Sequence, residues 1–251
     1  DLSSTRELGL RHEKATHLVV GVEQELPGDL SARVEGYYKR FHDLLVGRLE
    51  TEEERLIRIA RYDFPVSLRS SVPAAAQIRS DPTNDAGGDA YGLDLFLMHN
   101  NAAAPLTGWL SYAWGYANRQ SYGRGYAFEY DRRHAFNAVG RYRLTSRWDI
   151  AATARLASGF PHTAPVGLRV SAIEDARGRL VPATDSTGHL LYAVDYGGVE
   201  NLNGAQLPYY ARVDVRATYQ RGGPSGRWSL YVEVINLLGR DNAVTLEPRL
   251  G

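Results

Sequence analysis

The stretch LPYYARVDVRATYQ (residues 207–220) alternates strictly between two kinds of side chain. From Tyr209 to Tyr219 its odd positions are apolar, with a tyrosine at each end, whereas its even positions include Arg212, Asp214 and Arg216. A period of two residues predicts a β-strand with two different faces. One face must meet an apolar environment and the other a wet one, so this strand cannot lie in the centre of an ordinary packed core.

The same alternation occurs in eight segments. They cover residues 16–26, 31–39, 91–99, 107–118, 135–145, 148–158, 207–220 and 228–234. Each is long enough, or nearly so, to cross a bilayer as a tilted strand of about 9–11 residues. No run approaches the roughly 18 apolar residues that a membrane helix needs. The pattern predicts an all-β chain.

The links between these segments alternate in length. PGD, NNAAAPL, TSR and GGPSG are short, whereas residues 47–88, 119–133 and 162–206 form long links. Transmembrane barrels have short turns at one rim and long loops at the other. We therefore predict an antiparallel transmembrane β-barrel segment of about eight strands. A soluble barrel or sandwich with its apolar face inward has the same period and is the alternative.

Energy decides which face meets lipid. An arginine on the lipid face near the midplane costs about 2–4 kcal/mol, and a one-residue slip of 207–220 would place Arg212 and Arg216 there together. The odd face is therefore predicted to meet lipid, with Tyr209 and Tyr219 at the two interfaces.

The same assignment, applied to all eight segments, puts balanced charges on the wet interior face. They are Arg33, Lys39, Arg141, Arg143, Arg155, Arg212 and Arg216, with Glu23, Glu25, Glu35, Asp94, Asp149, Asp214 and Glu233. This balance predicts cross-strand ion pairs that brace the wall.

The remaining chemistry is sparse. The chain has 29 basic and 29 acidic residues and no cysteine, so no general attraction to nucleic acid is expected. The seven histidines lack the spacing of a metal site, and His134 is expected to fix the start of a strand beside Asp131. DPTNDAGGDA (81–90) misses the calcium-loop pattern and is predicted to be a solvated turn. EEERLIRIARY (52–62) predicts a short amphipathic surface helix.

No nucleophile elbow or phosphate loop is present in the sequence. We therefore predict neither an enzyme nor a cofactor. Ligand contacts are predicted instead on aromatic residues of one long link: Tyr122, Tyr126, Phe128 and Tyr130.

Seven motifs follow one another in an order that fits a known family. They are GVEQELPGDLSARVEGYYKRFHDLL (21–45), YGLDLFL (91–97), GWLSYAWGYA (108–117), EYDRRHAFNAVGRYRL (129–144), ASGFPHT (157–163), LPYYARVDVR (207–216) and EVINLLGRDN (233–242). With them the chain resembles the C-terminal part of the barrel of TonB-dependent outer-membrane receptors. No stretch resembles the plug domain of that family, nor a final strand ending in an aromatic residue.

The resemblance implies that residues 1–251 are the C-terminal portion of a barrel of about 22 strands. It also implies an outer-membrane location and import of a scarce, bulky nutrient such as a ferric siderophore. The implied partners are outer-membrane lipid, the plug domain of the parent chain, TonB, and a small-molecule or metal-chelate substrate, without nucleic acid. The alternative is a self-contained eight-stranded barrel with a structural or adhesion role, in which the first and last segments would pair.

Overall fold

The computed structural model describes residues 9–223 and 226–243. Eight long antiparallel strands form one sheet in chain order. They are β1 (Lys14–Leu26), β2 (Leu30–Leu49), β3 (Ile78–His99), β4 (Leu106–Ser121), β6 (His134–Arg143), β7 (Trp148–Ala157), β14 (Tyr210–Gly223) and β15 (Gly226–Val234). A ninth strand, β5 (Arg124–Ala127), folds back on the end of β4.

The sheet is open. Each long strand pairs with its neighbours in sequence, and in the part of the chain that the structure describes no ladder joins β1 to β15. The eight predicted strands are therefore confirmed. The closed eight-stranded barrel, which needs that ladder, is not what the structure shows.

The register of the ladders keeps the two faces separate across the whole sheet. One row of paired positions contains Ala32, Leu97, Leu110, Ala138, Ala154 and Val213. The next row contains Glu23, Arg33, Phe96, Ser111, Asn137, Arg155 and Arg212. Because side chains alternate along a strand, the first row belongs to an apolar face and the second to a charged face.

The apolar face is uncovered in this structure. Val20 is 66% exposed, Leu156 44% and Val232 68%. A soluble sandwich would bury such side chains between two sheets, and contiguous apolar surface of this kind marks contact with lipid or another protein. The soluble alternative has no support in this arrangement.

Aromatic rings gather at both ends of the apolar face. At the short-turn end, Tyr219 lies between Trp148 and Trp228, with ring centroids 5.1 and 5.7 Å away. At the long-link end, Tyr91 and Tyr116 stack at 5.1 Å. Such rings favour the two water–membrane interfaces.

Tyr209 lies one residue before β14, and Arg240 sits 3.7 Å from its ring centroid. Ten residues separate it from Tyr219. At about 3.3 Å per residue and a tilt of about 40°, they span about 25 Å, the height of the apolar band of a transmembrane barrel.

Strands β2 and β3 extend far beyond their predicted ends, to 20 and 22 residues. The prediction of a solvated turn at 81–90 is wrong, because this polar stretch lies within β3 and pairs with β2. Three register shifts interrupt that pairing. Bulges of this kind allow a strand to continue where the alternating pattern of side chains has ended.

The long links carry their own structure. Helix α1 (Glu52–Ala60), as predicted, follows β2, and a 3-10 helix (Val66–Ser71) comes after it. The link after β7 contains three small two-stranded sheets. They pair β8 (Pro161–His162) with β13 (Ala205–Gln206), β9 (Gly167–Val170) with β12 (Tyr192–Asp195), and β10 (Ala172–Glu174) with β11 (Leu180–Pro182). A second 3-10 helix spans Val199–Asn201. None of the described helices is long and apolar enough to cross a membrane.

We expect Val213→Arg to reduce assembly of the folded protein in the outer membrane far more than Thr218→Arg. Val213 occupies the apolar face near the middle of β14, where arginine costs about 2–4 kcal/mol. Thr218 is on the charged face opposite Asp149, where an arginine gains a partner. The measurement is the fraction of heat-modifiable, folded protein in isolated outer membranes, and equal fractions for the two variants would contradict the face assignment.

Candidate functional site

The charged face has fewer ion pairs than the sequence predicts. Among the fourteen predicted residues, the described structure contains a cross-strand pair of Arg141 with Asp149 at 2.9 Å, and a pair of Arg212 with Asp214 at 2.9 Å within one strand. The expectation of general cross-strand pairing is therefore mostly wrong. Register explains this only in part. It places Glu35 opposite Asp94 and Arg155 opposite Arg212. It also places Arg33, Arg143 and Arg216 directly opposite carboxylates, and among the described residues these three opposed pairs do not form ion pairs.

Two of the arginines stack on aromatic rings instead. Arg216 lies 3.7 Å from the ring centroid of Tyr231, and Arg33 lies 5.9 Å from that of Phe96. A guanidinium over an aromatic face gains electrostatic attraction without burying a carboxylate. These contacts stabilise the wall while leaving its polar groups available to other partners.

Tyr37 covers a glycine gap in the charged face. Its ring lies across Gly92 and Gly115, which are register partners on β3 and β4. A Cβ added at Gly92 would meet the Tyr37 hydroxyl at 2.6 Å and also the Trp114 carbonyl oxygen. Glycine is therefore required at position 92 so that an aromatic ring can pack flat on the backbone.

At the long-link end, Arg58 of α1 holds the first long link together. Its Nε donates to Glu50 at 3.0 Å, and its Nη atoms donate to the Pro73 and Ala75 carbonyl oxygens at 2.7 and 2.9 Å. Gln77 N also donates to Glu50, whose side chain is 1% exposed. Hydrogen bonds from Arg58 hold the pKa of this carboxyl below its ordinary value. One buried pair thus joins β2, α1 and the segment before β3.

The start of α1 is fixed by a capping box. Thr51 accepts from Glu54 N, and the Glu54 side chain accepts from Thr51 N at 2.8 Å. Arg48 binds the same carboxylate through both Nη atoms at 2.8 Å. Together these contacts lower the pKa of Glu54 to about 2, the Arg48 hydrogen bonds being the largest cause.

The two longest links are fastened to each other. Leu180 N donates to the Arg61 carbonyl oxygen at 2.8 Å, and Asp63 N donates to the Leu180 carbonyl oxygen at 2.9 Å. Arg61 pairs with Glu174 at 2.8 Å, and Arg179 pairs with Asp63 at 2.5 Å. The links therefore form one packed layer above the sheet rather than separate loops.

The four aromatic residues predicted to contact a ligand all lie between β4 and β6, but their surroundings differ. The Tyr122 hydroxyl donates to the Gly47 carbonyl oxygen at 3.0 Å, and the Tyr126 hydroxyl bonds to Ser121 at 2.9 Å. Both side chains are therefore tied to the strands. In the same region, burial raises the pKa of Tyr122.

Phe128 and Tyr130 form an edge-to-face pair with centroids 5.4 Å apart. The Tyr130 ring also packs edge-on against Phe160 of the link after β7, with centroids 6.2 Å apart, and Tyr130 is 68% exposed. Arg119 lies 4.7 Å from the centroid of the Phe128 ring. Of the four aromatics, Tyr130 is the most accessible to a ligand, and a ligand-binding role for the group stays a prediction.

Asp131 and His134 both fix the start of β6, but through different partners. Asp131, 3% exposed, accepts from Ala117 N and from Arg133, at 2.9 and 2.8 Å. His134 Nδ1 bonds to the Tyr112 hydroxyl at 2.8 Å, and its backbone N donates to Ser158. Within the described residues, no group of three or more histidine, aspartate or glutamate side chains is arranged to hold a metal ion.

A cleft of about 420 Å³ opens on the charged face at the long-link end of β6, β7 and β14. Its lining includes Trp109, Asn137, Arg155, Tyr210, Arg132 and Phe160. Of these, the alternation of side chains predicted Arg155 and Tyr210 on the interior face, but it did not predict a site at this position. The six residues come from different strands and links, and no local motif joins them.

The sequence matches the family described as "TonB dependent receptor-like, beta-barrel" over residues 3–237. The chain belongs to this family, which is an outer-membrane transporter and receptor family and not a family of enzymes. A search of curated proteins found no match.

Solved structures align with most of this chain. The ferric-catecholate import receptor Fiu of E. coli K12 aligns with TM-score 0.52 and 12% identity, over 94% of this chain and 25% of that one. The outer-membrane transporter YddB of Escherichia coli aligns with TM-score 0.49 and 11% identity, over 94% and 30%. The FrpB iron transporter of Neisseria meningitidis aligns with TM-score 0.49 and 13% identity, over 92% and 28%. This chain thus spans between a quarter and a third of the length of these proteins.

We expect Gly92→Ala to lower the stability of the folded protein by about 1–3 kcal/mol, because the added methyl group collides with the Tyr37 ring and a backbone carbonyl. Gly140→Ala is the matched control, since a Cβ there meets nothing within 4 Å. The measurement is the unfolding midpoint of each purified variant in detergent. Equal midpoints would show that the Tyr37 ring does not require the gap.

Acid should loosen the first long link. Since the pKa of Glu50 is lowered in the folded protein, its contribution to stability is complete above its ordinary value of about 4.5 and is lost as pH falls through the folded value. At neutral pH, Glu50→Gln should speed amide exchange in 73–77 by about 30-fold, equivalent to about 2 kcal/mol. Glu53→Gln, on the exposed side of α1, is the control. Unchanged exchange in the Glu50 variant would contradict the role given to this pair.

Proposed function

We propose that this chain forms part of the barrel wall of a TonB-dependent importer of a metal chelate, with ferric siderophores as the first class to test. The observation that supports this most is the separation of faces across eight strands. An exposed apolar face lies on one side of the sheet and a charged face on the other, and the register shifts are confined to the far ends of β2 and β3. We assign the first to lipid and the second to a hydrated lumen.

A wide lumen fits the charged face better than a narrow one. A closed barrel of eight strands leaves space only for packed side chains. The charged face carries Glu35 directly opposite Asp94 and Arg155 directly opposite Arg212, and close-packed like charges are destabilising. In a barrel of about 22 strands the same groups stay hydrated or bind a plug domain.

The remaining partners follow from the family. A plug in the parent chain would contact the charged face, and TonB would supply energy from the proton gradient. Import of ferric catecholates by Fiu, which shares this fold, is a reason to begin with iron chelates. The packed layer of long links, with the exposed Tyr130, would be the first surface that a substrate meets.

The test is uptake of radioactive iron chelates by iron-starved cells that make the full-length protein. We expect uptake of at least one chelate to fall to background when the gene for this protein is deleted, and to return on complementation. Deletion of tonB should abolish the same uptake. A chelate panel whose uptake responds to neither deletion would contradict the proposal.

A further inference from the structure

The apolar face of the sheet carries a row of aromatic rings close to its long-link end. Tyr38, Tyr91 and Tyr116 are register partners on β2, β3 and β4, and the rings of Tyr91 and Tyr116 stack at 5.1 Å. Alternation along the strands places them on the same face as Leu97 and Leu110. Because tyrosine favours the boundary between hydrocarbon and headgroups, this row marks that boundary at the rim where the long links lie.

Basic side chains follow directly beyond the aromatic row on the same face. In β2, Arg40 comes two residues after Tyr38, and Lys14 of β1 lies opposite His42, one row further out. Two residues of a strand tilted by about 40° advance about 5 Å along the barrel axis. The headgroup layer of a bilayer is about 5–8 Å thick on each side of the hydrocarbon. Arg40 therefore lies at the depth of the headgroups, and Lys14 lies at their outer margin.

These two cations are open to a partner outside the protein. The side chains of Arg40 and Lys14 are 58% and 68% exposed. The carboxylate beside Arg40, that of Asp89, lies 3.9 Å away and already accepts from a tyrosine hydroxyl of the aromatic row. Lys14 shares the carboxylate of Asp43 with Arg11, at 3.1 and 2.9 Å. Neither Arg40 nor Lys14 therefore has a carboxylate to itself.

Two more arginines lie against tyrosines at the same rim. Arg133 lies 4.0 Å from the ring centroid of Tyr116, while its Nε donates to Asp131 at 2.8 Å. Arg240 lies 3.7 Å from the ring centroid of Tyr209, which alternation also puts on the apolar face. A guanidinium held against a ring still offers its remaining N–H groups to an oxyanion such as phosphate. Together these cations form the basic rim: Lys14, Arg40, Arg133 and Arg240.

We propose that the basic rim binds the phosphate groups of the lipid in the outer leaflet, with Arg40 and Lys14 as the principal contacts. The long loops of transmembrane barrels lie outside the cell, so the leaflet at this rim is the outer one, whose lipopolysaccharide carries phosphates on lipid A. The basic rim is continuous with the apolar face, which takes acyl chains, and a lipid is the anion that fits both surfaces at once. This inference goes beyond the proposed function, because it does not depend on what the barrel imports.

The experiment uses full-length protein purified in detergent and freed of lipid. Lys14→Gln and Arg40→Gln are compared with wild type, singly and together. Arg221→Gln is the matched control, because Arg221 is an exposed cation on the same face of β14 but lies opposite Trp228 at the short-turn rim. The probes are bisphosphorylated lipid A, the same lipid after removal of both phosphates, and inorganic phosphate. Affinity is measured by quenching of tryptophan fluorescence, retained lipid by native mass spectrometry, and the unfolding midpoint without lipid.

We expect wild-type protein to bind phosphorylated lipid A more tightly than the dephosphorylated form. Each single variant should weaken that binding about fivefold, and the double variant about 25-fold, since each basic side chain at a membrane surface contributes a factor of about five. Arg221→Gln should bind as wild type does, and equal unfolding midpoints would show that all variants fold. If the double variant does not fold, the single variants decide.

The proposal is overturned if removal of the phosphates leaves the affinity unchanged, if the variants of Lys14 and Arg40 bind as wild type does, or if Arg221→Gln weakens binding equally. Displacement of lipid A by an equal concentration of inorganic phosphate would assign the basic rim to a soluble anion and would also overturn it. Phosphate-dependent binding of lipid A by a protein that imports no iron chelate would reject the proposed function and retain this inference.

Discussion

The backbone hydrogen-bond ladder is the constraint on which the rest of the structure depends. Inside hydrocarbon every backbone N–H and C=O needs a partner within the protein, and the sheet provides it by pairing neighbouring strands in order from β1 to β15. Once the ladders are set, alternation decides where each side chain points. Val213 shares a row with Ala154, and Arg212 shares the next row with Arg155. A one-residue slip in any single ladder would exchange these faces on that strand, so the apolar and charged faces must be correct together or not at all.

Beyond the aromatic rings at the long-link end of the apolar face, strand pairing is less constrained. Strands β2 and β3 continue with bulges, because water can satisfy whatever the pairing leaves open. The link that joins the far ends of β2 and β3 is held together by the ion pair of Arg58 with Glu50. Three backbone groups of residues 73–77 are hydrogen-bonded to this pair. Hydrogen bonds of Arg61 and Leu180 connect this link to the long link after β7, so the two links pack together at the end of the sheet where the cleft lies.

The features that alternation encodes were predictable, and those that it does not encode were missed. The eight strands and both faces followed from a period of two, because lipid penalises a misplaced Arg212 or Arg216 strongly. The extension of β3 through 81–90 was missed, since a strand wet on both faces loses that period. The stacking of Arg216 on Tyr231 was missed because Arg216 lies directly opposite Glu233. The choice between that carboxylate and the ring depends on side-chain conformation, which alternation does not encode. The cleft was missed because Arg132 and Arg155 meet only through the folding of separate segments.

The motif EVINLLGRDN (233–242) has a physical role beside this cleft. The ladder between β14 and β15 ends at Val215, so the first residues of β14 lack a strand on that side. Leu237 N donates to the Val213 carbonyl oxygen at 2.7 Å. The side chain of Asn242 accepts from Ala211 N at 2.9 Å and donates to its carbonyl oxygen at 3.0 Å, as a neighbouring strand would. The pairing of β14 is thereby completed next to Tyr210, at the margin of the cleft. The segment after β15 therefore completes the pairing of β14, the strand that lies next to Arg155 of β7.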